Sequence, residues 1–338
     1  MINQLSKIIF ALLLSTLTAA AQDSEQVFFA GKTVRLVVGF GPGGGYDAYA
    51  RMLAPYLSKS LGANVIVENR PGAGGLVALS GVYMAPPDGL TMMIVNGTGA
   101  AFSQLTDQPG ARFDLGRIGY VATLSAPPSL WTVGPHFGVR TIAEALAARK
   151  KWRWAASGPV DSLSDGAAFT CEALRLDCQI VLGYKGSNDA ALAMARGEMD
   201  ALYITDTSAN TFVAANGSLA LVTIGRNRSR FFPNLPTIFE ATPLDAEQEW
   251  LFGFRHAVQN LGRILVVPPG MSEGRLKVLE AATAKSVSDP AFLAEGEKRE
   301  LYTDYVDSAG TRRNAMSIVT SVTPAQRKRV QDILARAR

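Results

Sequence analysis

Residues 32–47 read Lys32-Thr33-Val34-Arg35-Leu36-Val37-Val38-Gly39-Phe40-Gly41-Pro42-Gly43-Gly44-Gly45-Tyr46-Asp47. The short apolar run up to Val38 predicts a buried strand. Five of the seven positions from Gly39 to Gly45 are glycine, more than a turn needs, and glycine alone lets the backbone approach a ligand closely. From Asp47 to Leu61, Ala50, Leu53, Tyr56, Leu57 and Leu61 recur at helical spacing, and Gly62 supplies a stop. The glycine loop therefore opens a helix, where unpaired amides form a ready anion site.

Working outward, Asn64–Glu68 reads as a second strand, Gly75–Ala85 as a second helix and Leu90–Val95 as a third strand after the turn Pro86-Pro87-Asp88-Gly89. This strand–helix alternation predicts a parallel sheet with helices on its faces. Three polar, glycine-bearing loops then converge at the carboxyl ends of the strands, the edge where open α/β sheets bind ligands. They are Gly39–Asp47, Glu68–Gly75 and Asn96-Gly97-Thr98-Gly99. The alternation resumes later. Strands are expected at Trp152–Ala156, Ile180–Leu182 and Ala201–Ile204, with helices at Asp165–Leu176 and Asn188–Gly197. A last strand, Arg263–Val267, precedes helices at Glu273–Ser288, Pro290–Glu300 and Ala309–Arg338, the last broken at Pro324. The C-terminal part is too poor in strands for a third α/β domain and is expected to pack onto the first.

Length and composition agree with this division. A chain of 338 residues suggests about two domains. With 48% hydrophobic residues and a formal charge of +4 it is globular rather than disordered. The charge makes no strong field, and the one basic cluster, Arg327, Lys328, Arg329, Arg336 and Arg338, reads as the solvated face of a last helix. No nucleic-acid partner is expected. Two histidines, two cysteines and the lack of CxxC, HxxxH and HExxH patterns leave no zinc motif, and no cofactor is called for.

Residues 1–21 carry Lys7, a short apolar run from Ile8 to Thr18 and Ala19-Ala20-Ala21, the pattern of a secretory signal peptide cleaved near Ala21. The run is too short for a bilayer span. A soluble exported protein of the periplasm is expected. Export also permits a disulfide between Cys171 and Cys178. Within one helix their Cα atoms would lie about 10 Å apart, too far to bridge. If the helix ends near Leu176 and the chain turns into a strand, they can meet. Both a disulfide and two buried thiols remain open.

Gly39, Gly41 and Gly44 also match the dinucleotide fingerprint GxGxxG, with Glu68 as a ribose-binding acid. An exported NAD(P)-dependent oxidoreductase is thus an alternative. Two facts weigh against it: little NAD is met outside the membrane, and Pro42 removes an N–H from the loop. No GxSxG elbow occurs, and the glycine loops offer donors without an evident acid or base partner. A site built this way holds an anion rather than transforming it, so no enzyme is expected.

Three blocks in the first third make the pattern specific: VRLVVGFGPGGGYDAYARMLAPYLSKSLG (34–62), VIVENRPGAGG (65–75) and APPDGLTMMI (85–94). Three more follow in order, YKGSNDAALAMARGEMDAL (184–202), FPNLPTIFEA (232–241) and VVPPGMSEGRLKVLEAATAKSVSDPAF (266–292). Together they resemble the substrate-binding family of the tripartite tricarboxylate transporters, also called the Bug family. The resemblance implies an α/β fold of type II-like periplasmic binding proteins: two lobes, each a mainly parallel sheet flanked by helices, with a ligand cleft between them. It implies lobe 1 from 27–128 plus 233–338 and lobe 2 from 129–232. It further implies capture of a small organic carboxylate (a di- or tricarboxylate, an amino acid or an aromatic acid) and its delivery to the membrane subunits of the transporter, by a monomer. A sensory binding protein without a transport role is the other alternative.

Carried over residue by residue, the first-lobe site is Gly41, Gly43, Gly44, Gly45, Tyr46 and Asp47, with Asn96, Thr98 and Gly99 on the same edge. The second lobe supplies the loop Ser157–Ser164, with Ser157, Ser162 and Ser164, then Tyr184, Lys185 and Gly186, and Asp206 at a strand end. Asp47 either caps the first helix or meets the ligand. The chain departs from the family pattern at Gly39, where proline is usual, at Asp165, where histidine is frequent, and at Tyr46, where a small residue is usual. The last two bear on ligand identity. Of the rest, His136 reads as a surface residue, His256 as a candidate for the interlobe face, and Trp131, Trp152, Trp154 and Trp250 as core.

Overall fold

The computed structural model describes residues 25–159 and 161–336. The expected signal peptide and its cleavage point lie outside these residues. In chain order the first lobe begins with β1 (Thr33–Val38), α1 (Gly45–Leu61), β2 (Asn64–Asn69), α2 (Leu76–Tyr83), β3 (Thr91–Asn96), α3 (Gly97–Leu105) and β4 (Gly119–Ser125). The chain then passes directly into β5 (Ser129–Val133), followed by α4 (Ile142–Ala147), β6 (Trp152–Ala155), α5 (Ser162–Ala173) and β7 (Cys178–Val181). The second sheet is completed by α6 (Ser187–Ala195), β8 (Ala201–Thr205), α7 (Asp206–Asn216) and β9 (Leu219–Ile224). After α8 (Ile238–Ala241) and α9 (Ala246–Gln259) the chain returns through β10 (Arg263–Val267), α10 (Glu273–Val287), α11 (Pro290–Lys298), β11 (Val306–Asp307), α12 (Ser308–Ser321) and α13 (Pro324–Ala335).

The strands form two sheets, in the orders β11-β4-β10-β3-β1-β2 and β7-β6-β8-β5-β9. Most strands of each sheet run one way. The exceptions among the named strands are β10 and β11 in the first sheet and β5 in the second, which pair antiparallel with their neighbours. The reversal has a cause in the connectivity. β5 enters the second sheet straight from β4, and β10 enters the first from the second sheet through α8 and α9, so neither strand follows a crossover from a strand of its own sheet, as parallel pairing requires. The returning strand does more than pack onto the first lobe, because it inserts between β3 and β4.

Local sequence explains the element ends. In β1, Val34, Leu36, Val37 and Val38 are buried while Thr33 and Arg35 are exposed. α1 starts from Gly44 in an extended conformation and stops at Gly62 in the left-handed region, φ 66°. Pro55 lies within α1 on its exposed face, where the carbonyl it deprives of a donor can meet water. α3 is a correction: Asn96–Gly99 is not a loop, because the helix begins at Gly97. Its glycine is there for contact, since a Cβ on Gly97 would stand 2.6 Å from Leu261 Cβ.

The lobes share one apolar core where α3, α5 and α9 meet. Phe102 stacks on Phe169 with centroids 5.4 Å apart, and Phe254 lies 6.2 Å from each. Trp131, Trp152 and Trp154 are fully buried around one another in the second lobe, and Trp250 stacks on Phe254. The basic C-terminal residues are not merely solvated. Arg327 bonds both Asp107 oxygens, and Arg329 pairs with Glu172 of α5 and Glu247 of α9.

Cys171 and Cys178 form a disulfide, with Cα atoms 6.2 Å apart. α5 ends at Ala173, Arg175 turns at φ 53°, and the chain enters β7 at Cys178. Closing so short a loop contributes about 2 kcal/mol by the chain-entropy relation. Cys171→Ser with Cys178→Ser is expected to lower the urea unfolding free energy by about that amount. A loss under about 0.5 kcal/mol would show that the crosslink constrains the unfolded chain very little.

Candidate functional site

The first turn of α1 is held open by a carboxylate behind it. Asp47 is buried, and its Oδ2 accepts from Gly43 N–H at 2.8 Å and from Arg51 Nε at 3.0 Å. Its Oδ1 accepts from Asn69 Nδ2 at 2.9 Å, and the same amide reaches Phe40 O at 3.0 Å. Asp47 is therefore not the N-cap, which is Gly44, and both its oxygens are engaged by donors of the first lobe. It ties the glycine loop to the end of β2. These donors outweigh burial and hold its carboxyl below the usual range. Gly43, at φ 84°, needs its glycine. A Cβ on Gly41 or Gly43 would meet nothing within 4 Å, and one on Gly44 would meet only Gly41 O, at 3.9 Å. The N–H groups of Gly44, Gly45 and Tyr46 precede any intrahelical acceptor. No acceptor bonds them among the described residues.

Arg263 closes this turn from the side. It is the first residue of β10, in register with Asn96 at the end of β3 and Ser125 at the end of β4. An antiparallel strand thus begins where its parallel neighbours finish, on the ligand-binding edge of the sheet. Arg263 is only 6% exposed. Its Nη1 donates to Ser125 Oγ at 2.9 Å, while Nε is buried without an acceptor. Its Nη2 stands 3.0 Å from where a Cβ on Gly45 would lie. The guanidinium faces the rings of Tyr46 and Tyr49 at 5.2 and 5.9 Å, and Tyr46 is stacked on Phe40 at 4.7 Å. Sequence reasoning missed Arg263. A charged residue inside an apolar strand was the one signal available.

The loop of the second lobe is built on the same plan with one difference. Asp161 is the N-cap of α5, and Ser164 completes a capping box. Its Oδ2 accepts from the N–H of Ser157 at 3.0 Å and of Gly158 at 2.7 Å, and from the Ser157 hydroxyl. Its Oδ1 accepts from the N–H of Leu163 at 2.8 Å and of Ser164 at 2.9 Å. One turn on, Asp165 is fully buried and lies 2.6 Å from Arg255 Nη2 of α9. Arg255 also donates to Gln259 Oε1 at 2.8 Å and lies over the Tyr203 ring at 4.9 Å. Burial pushes the Asp165 carboxyl up to about 7, against the pull of Arg255, and Asp161 pushes it the same way. The two lobes approach here. The Tyr46 hydroxyl is raised to about 12, chiefly by burial, with Arg263 opposing and Asp165 and Asp161 adding to the shift.

The other expected residues divide. Asn96 caps α3 through Gly99 N–H at 3.2 Å, and Thr98 donates to Val258 O of α9 at 3.2 Å, tying α3 to α9. Ser162 opens α5 and is half-buried. Tyr184 packs on a small apolar cluster with Leu130 and Ala155. Lys185 is exposed, and its backbone N–H bonds Asp189. Gly186 is the N-cap of α6. No hydrogen bond joins these three to the α1 loop among the described residues. Asp206 is buried at the start of α7, with Oδ2 accepting from Ser229 Oγ at 2.9 Å and Oδ1 without a partner. His136 is bound to Asp200 at 3.2 Å, and His256 lies half-buried on α9.

A cavity of about 100 Å³ separates the lobes beside these loops, lined by Ala73, Gly74 and Val77 from one side and Gly158 and Pro159 from the other. Gly39 is packed within the first lobe, since a Cβ there would stand 2.6 Å from Gly75 Cα. Glu68, the acid of the dinucleotide alternative, has both oxygens engaged by Arg70, at 2.8 and 2.9 Å.

The family model described as tripartite tricarboxylate transporter family receptor matches residues 49–320. The chain belongs to that family. It is a family of substrate-binding receptors. A UPF0065 protein of Bordetella pertussis is 28% identical over 283 residues, covering 82% of this chain and 83% of that one. Among solved structures, MatC from Rhodopseudomonas palustris with bound malate superposes with a TM-score of 0.72 at 21% identity, over 90% of this chain and 99% of that one. A second protein of that organism, solved with adipate, gives a TM-score of 0.72 at 20% identity, over 90% and 97%. These likenesses establish the two-lobed periplasmic-binding-protein fold. No helix among the described residues is long and apolar enough to cross a membrane.

Proposed function

We propose that this receptor works in the periplasm as a monomer. It holds a small organic carboxylate between lobe 1 (27–128 with 233–338) and lobe 2 (129–232) and passes it to the membrane subunits of a tripartite tricarboxylate transporter. The observation that carries this reading is the first turn of α1, where the amides of Gly44, Gly45 and Tyr46 stand unclaimed beside Arg263. The malate and adipate of the structurally similar proteins are the ligand class such a turn suits.

Magnitudes show why two lobes are needed. A carboxylate at a helix N-terminus gains about 0.3–1 kcal/mol when exposed and up to about 2 when partly buried. Micromolar affinity requires about 8 kcal/mol. The rest must come from desolvated hydrogen bonds formed as the lobes close, with Arg263 a buried charged donor beside the turn.

Thermal denaturation against mono-, di-, tri- and aromatic carboxylates, with NAD and NADP included, tests the reading. A bound acid at about 100 times its dissociation constant stabilises by about 2.7 kcal/mol. Gly44→Val is expected to abolish that rise and leave the unliganded melting temperature unchanged, because the added side chain enters open space. A rise with the dinucleotides alone would overturn the carboxylate reading. An unchanged rise in Gly44→Val would remove the loop from the site.

A further inference from the structure

A buried charge is held at little cost only by a counter-ion or a full set of hydrogen bonds. Arg263 has neither. It is 6% exposed, its Nε is buried without an acceptor, and no carboxylate of the described residues lies within ion-pair distance of it. Its Nη2 is turned to the first turn of α1, 3.0 Å from the place of a Cβ on Gly45. The anchor on lobe 1 therefore carries one uncompensated positive charge. The facing loop of lobe 2 adds none. Asp161 holds the amides of Ser157, Gly158, Leu163 and Ser164, and Asp165 holds Arg255. Those two carboxylates are themselves 2% and 0% exposed, so they present no acceptor to a ligand.

The space between the loops is mostly apolar. The cavity of about 100 Å³ is lined by Ala73, Leu76, Val77, Pro109 and Pro159, with Gln108 a polar side chain beside them. A smaller cavity of about 10 Å³ shares Gly74 and Leu76 with it and extends to Phe40 and Asn96. Asn96 is the register partner of Arg263, and Phe40 is stacked on Tyr46, whose amide is one of the open three. No charged residue lines either cavity among the described residues. We propose that the ligand is a monocarboxylate with a short apolar body. Its carboxylate is the counter-ion of Arg263 and takes the open amides of α1, and its body passes Phe40 into the cavity between the lobes. The proposal rests on the carboxylate-receptor reading above and narrows its ligand class. A guanidinium suits the anchor, since it offers paired donors to a carboxylate plane. An apolar cavity of about 150 Å³ holds benzene, so the smaller one here suits an aliphatic chain of a few carbons. A dicarboxylate would carry its second anion into a lining without a cation. An amine-ended acid would carry an ammonium into one without an open carboxylate. Each charge would be desolvated without compensation.

Calorimetric titration of the full chain at pH 8 tests this with acids of matched length. The probes are butanoate, pentanoate and hexanoate, with the dicarboxylates and the amine-ended acids of the same carbon numbers. The alkanoate that binds best is expected to bind at least about tenfold more tightly than either polar-ended acid of its length. Equal or tighter binding of a dicarboxylate or an amine-ended acid would overturn the inference and leave the carboxylate reading standing. Binding of none of the acids would overturn both. Arg263→Met is expected to weaken the alkanoate by about 10- to 100-fold, the range for a charged hydrogen bond. The same variant should melt no lower than wild type without ligand, because methionine replaces a buried charge that has no partner. Unchanged affinity, or a loss of affinity accompanied by a lower unliganded melting temperature, would overturn the role of Arg263 as the anchor.

Discussion

Arg255→Met is expected to lower the unfolding free energy by about 3–5 kcal/mol at pH 8, the cost of leaving one member of a buried ion pair without its partner. Arg255 and Asp165 are 1% and 0% exposed and 2.6 Å apart. Removing the guanidinium leaves Asp165 in a dry site with Asp161 as its nearest charged companion. The loss should depend on pH in a definite sense. The folded carboxyl already titrates at about 7, above its unfolded value. Without Arg255 it titrates higher still, so the variant is weakest where the unfolded carboxyl is ionised and the folded one must hold a proton. The difference from wild type is largest above about 7, where the wild-type carboxyl is ionised and the variant's must hold a proton, and it closes as pH falls below about 7, where both folded forms are protonated. Arg255→Met with Asp165→Leu should recover most of the loss, because an apolar pair of similar volume is often as stable as the ion pair it replaces. Urea unfolding at pH 8 and pH 5 measures this. A single variant as stable as wild type at pH 8 would show that the pair contributes nothing to holding α9 against α5.

Gly262→Ala should be nearly as damaging, for a different reason. Gly262 stands at φ 55°, and a Cβ there would lie 2.1 Å from Ser125 O and 2.7 Å from Ala126 Cα. Both atoms are backbone, so no side chain can swing aside. The left-handed conformation costs a non-glycine residue about 1–2 kcal/mol and overpacking about 1–3, which places the expected loss at about 2–5 kcal/mol. Gly262 immediately precedes Arg263, and its carbonyl accepts from Gly97 N–H at 2.9 Å. Moving it displaces β10 from the ends of β3 and β4, and carboxylate affinity should fall along with stability. A loss below about 1 kcal/mol in urea would show that the chain crossing at Ser125–Pro128 gives way easily and is not a fixed hinge.

The first lobe was the most legible part of the chain. β1, α1, β2, α2 and β3 fall within about two residues of their expected bounds, because each pairs a clear period with a glycine or proline stop. The second lobe's α5 begins three residues before the expected Asp165, since its start is set by the Asp161 capping box rather than by apolar spacing. α3 was read as a loop because Gly97-Thr98-Gly99 carries turn chemistry. Packing against Leu261 overrides that propensity. β4, β5 and β9 went unassigned, since their runs are buried from both sides and carry no alternation. α9 shows a helical pattern, but nothing in its sequence tells that Arg255 faces a carboxylate of α5.

By itself the sequence determined the class of the fold, the place of the glycine loop at the head of a helix, and the family to which the chain belongs. Those follow from local conformation: which residues can adopt a left-handed turn, which stripe must be buried, where a helix must stop. The tertiary structure alone decided the electrostatics of the cleft. Asp47 and Asp161 occupy similar glycine-bearing loops, and only the fold shows that one stands behind its amides while the other fills them. Arg263 lies 218 positions beyond Gly45. It reaches the α1 turn because β10 inserts antiparallel between β3 and β4, so that its first residue arrives where theirs end. Strand order and direction are long-range properties, and no local pattern of residue types encodes them.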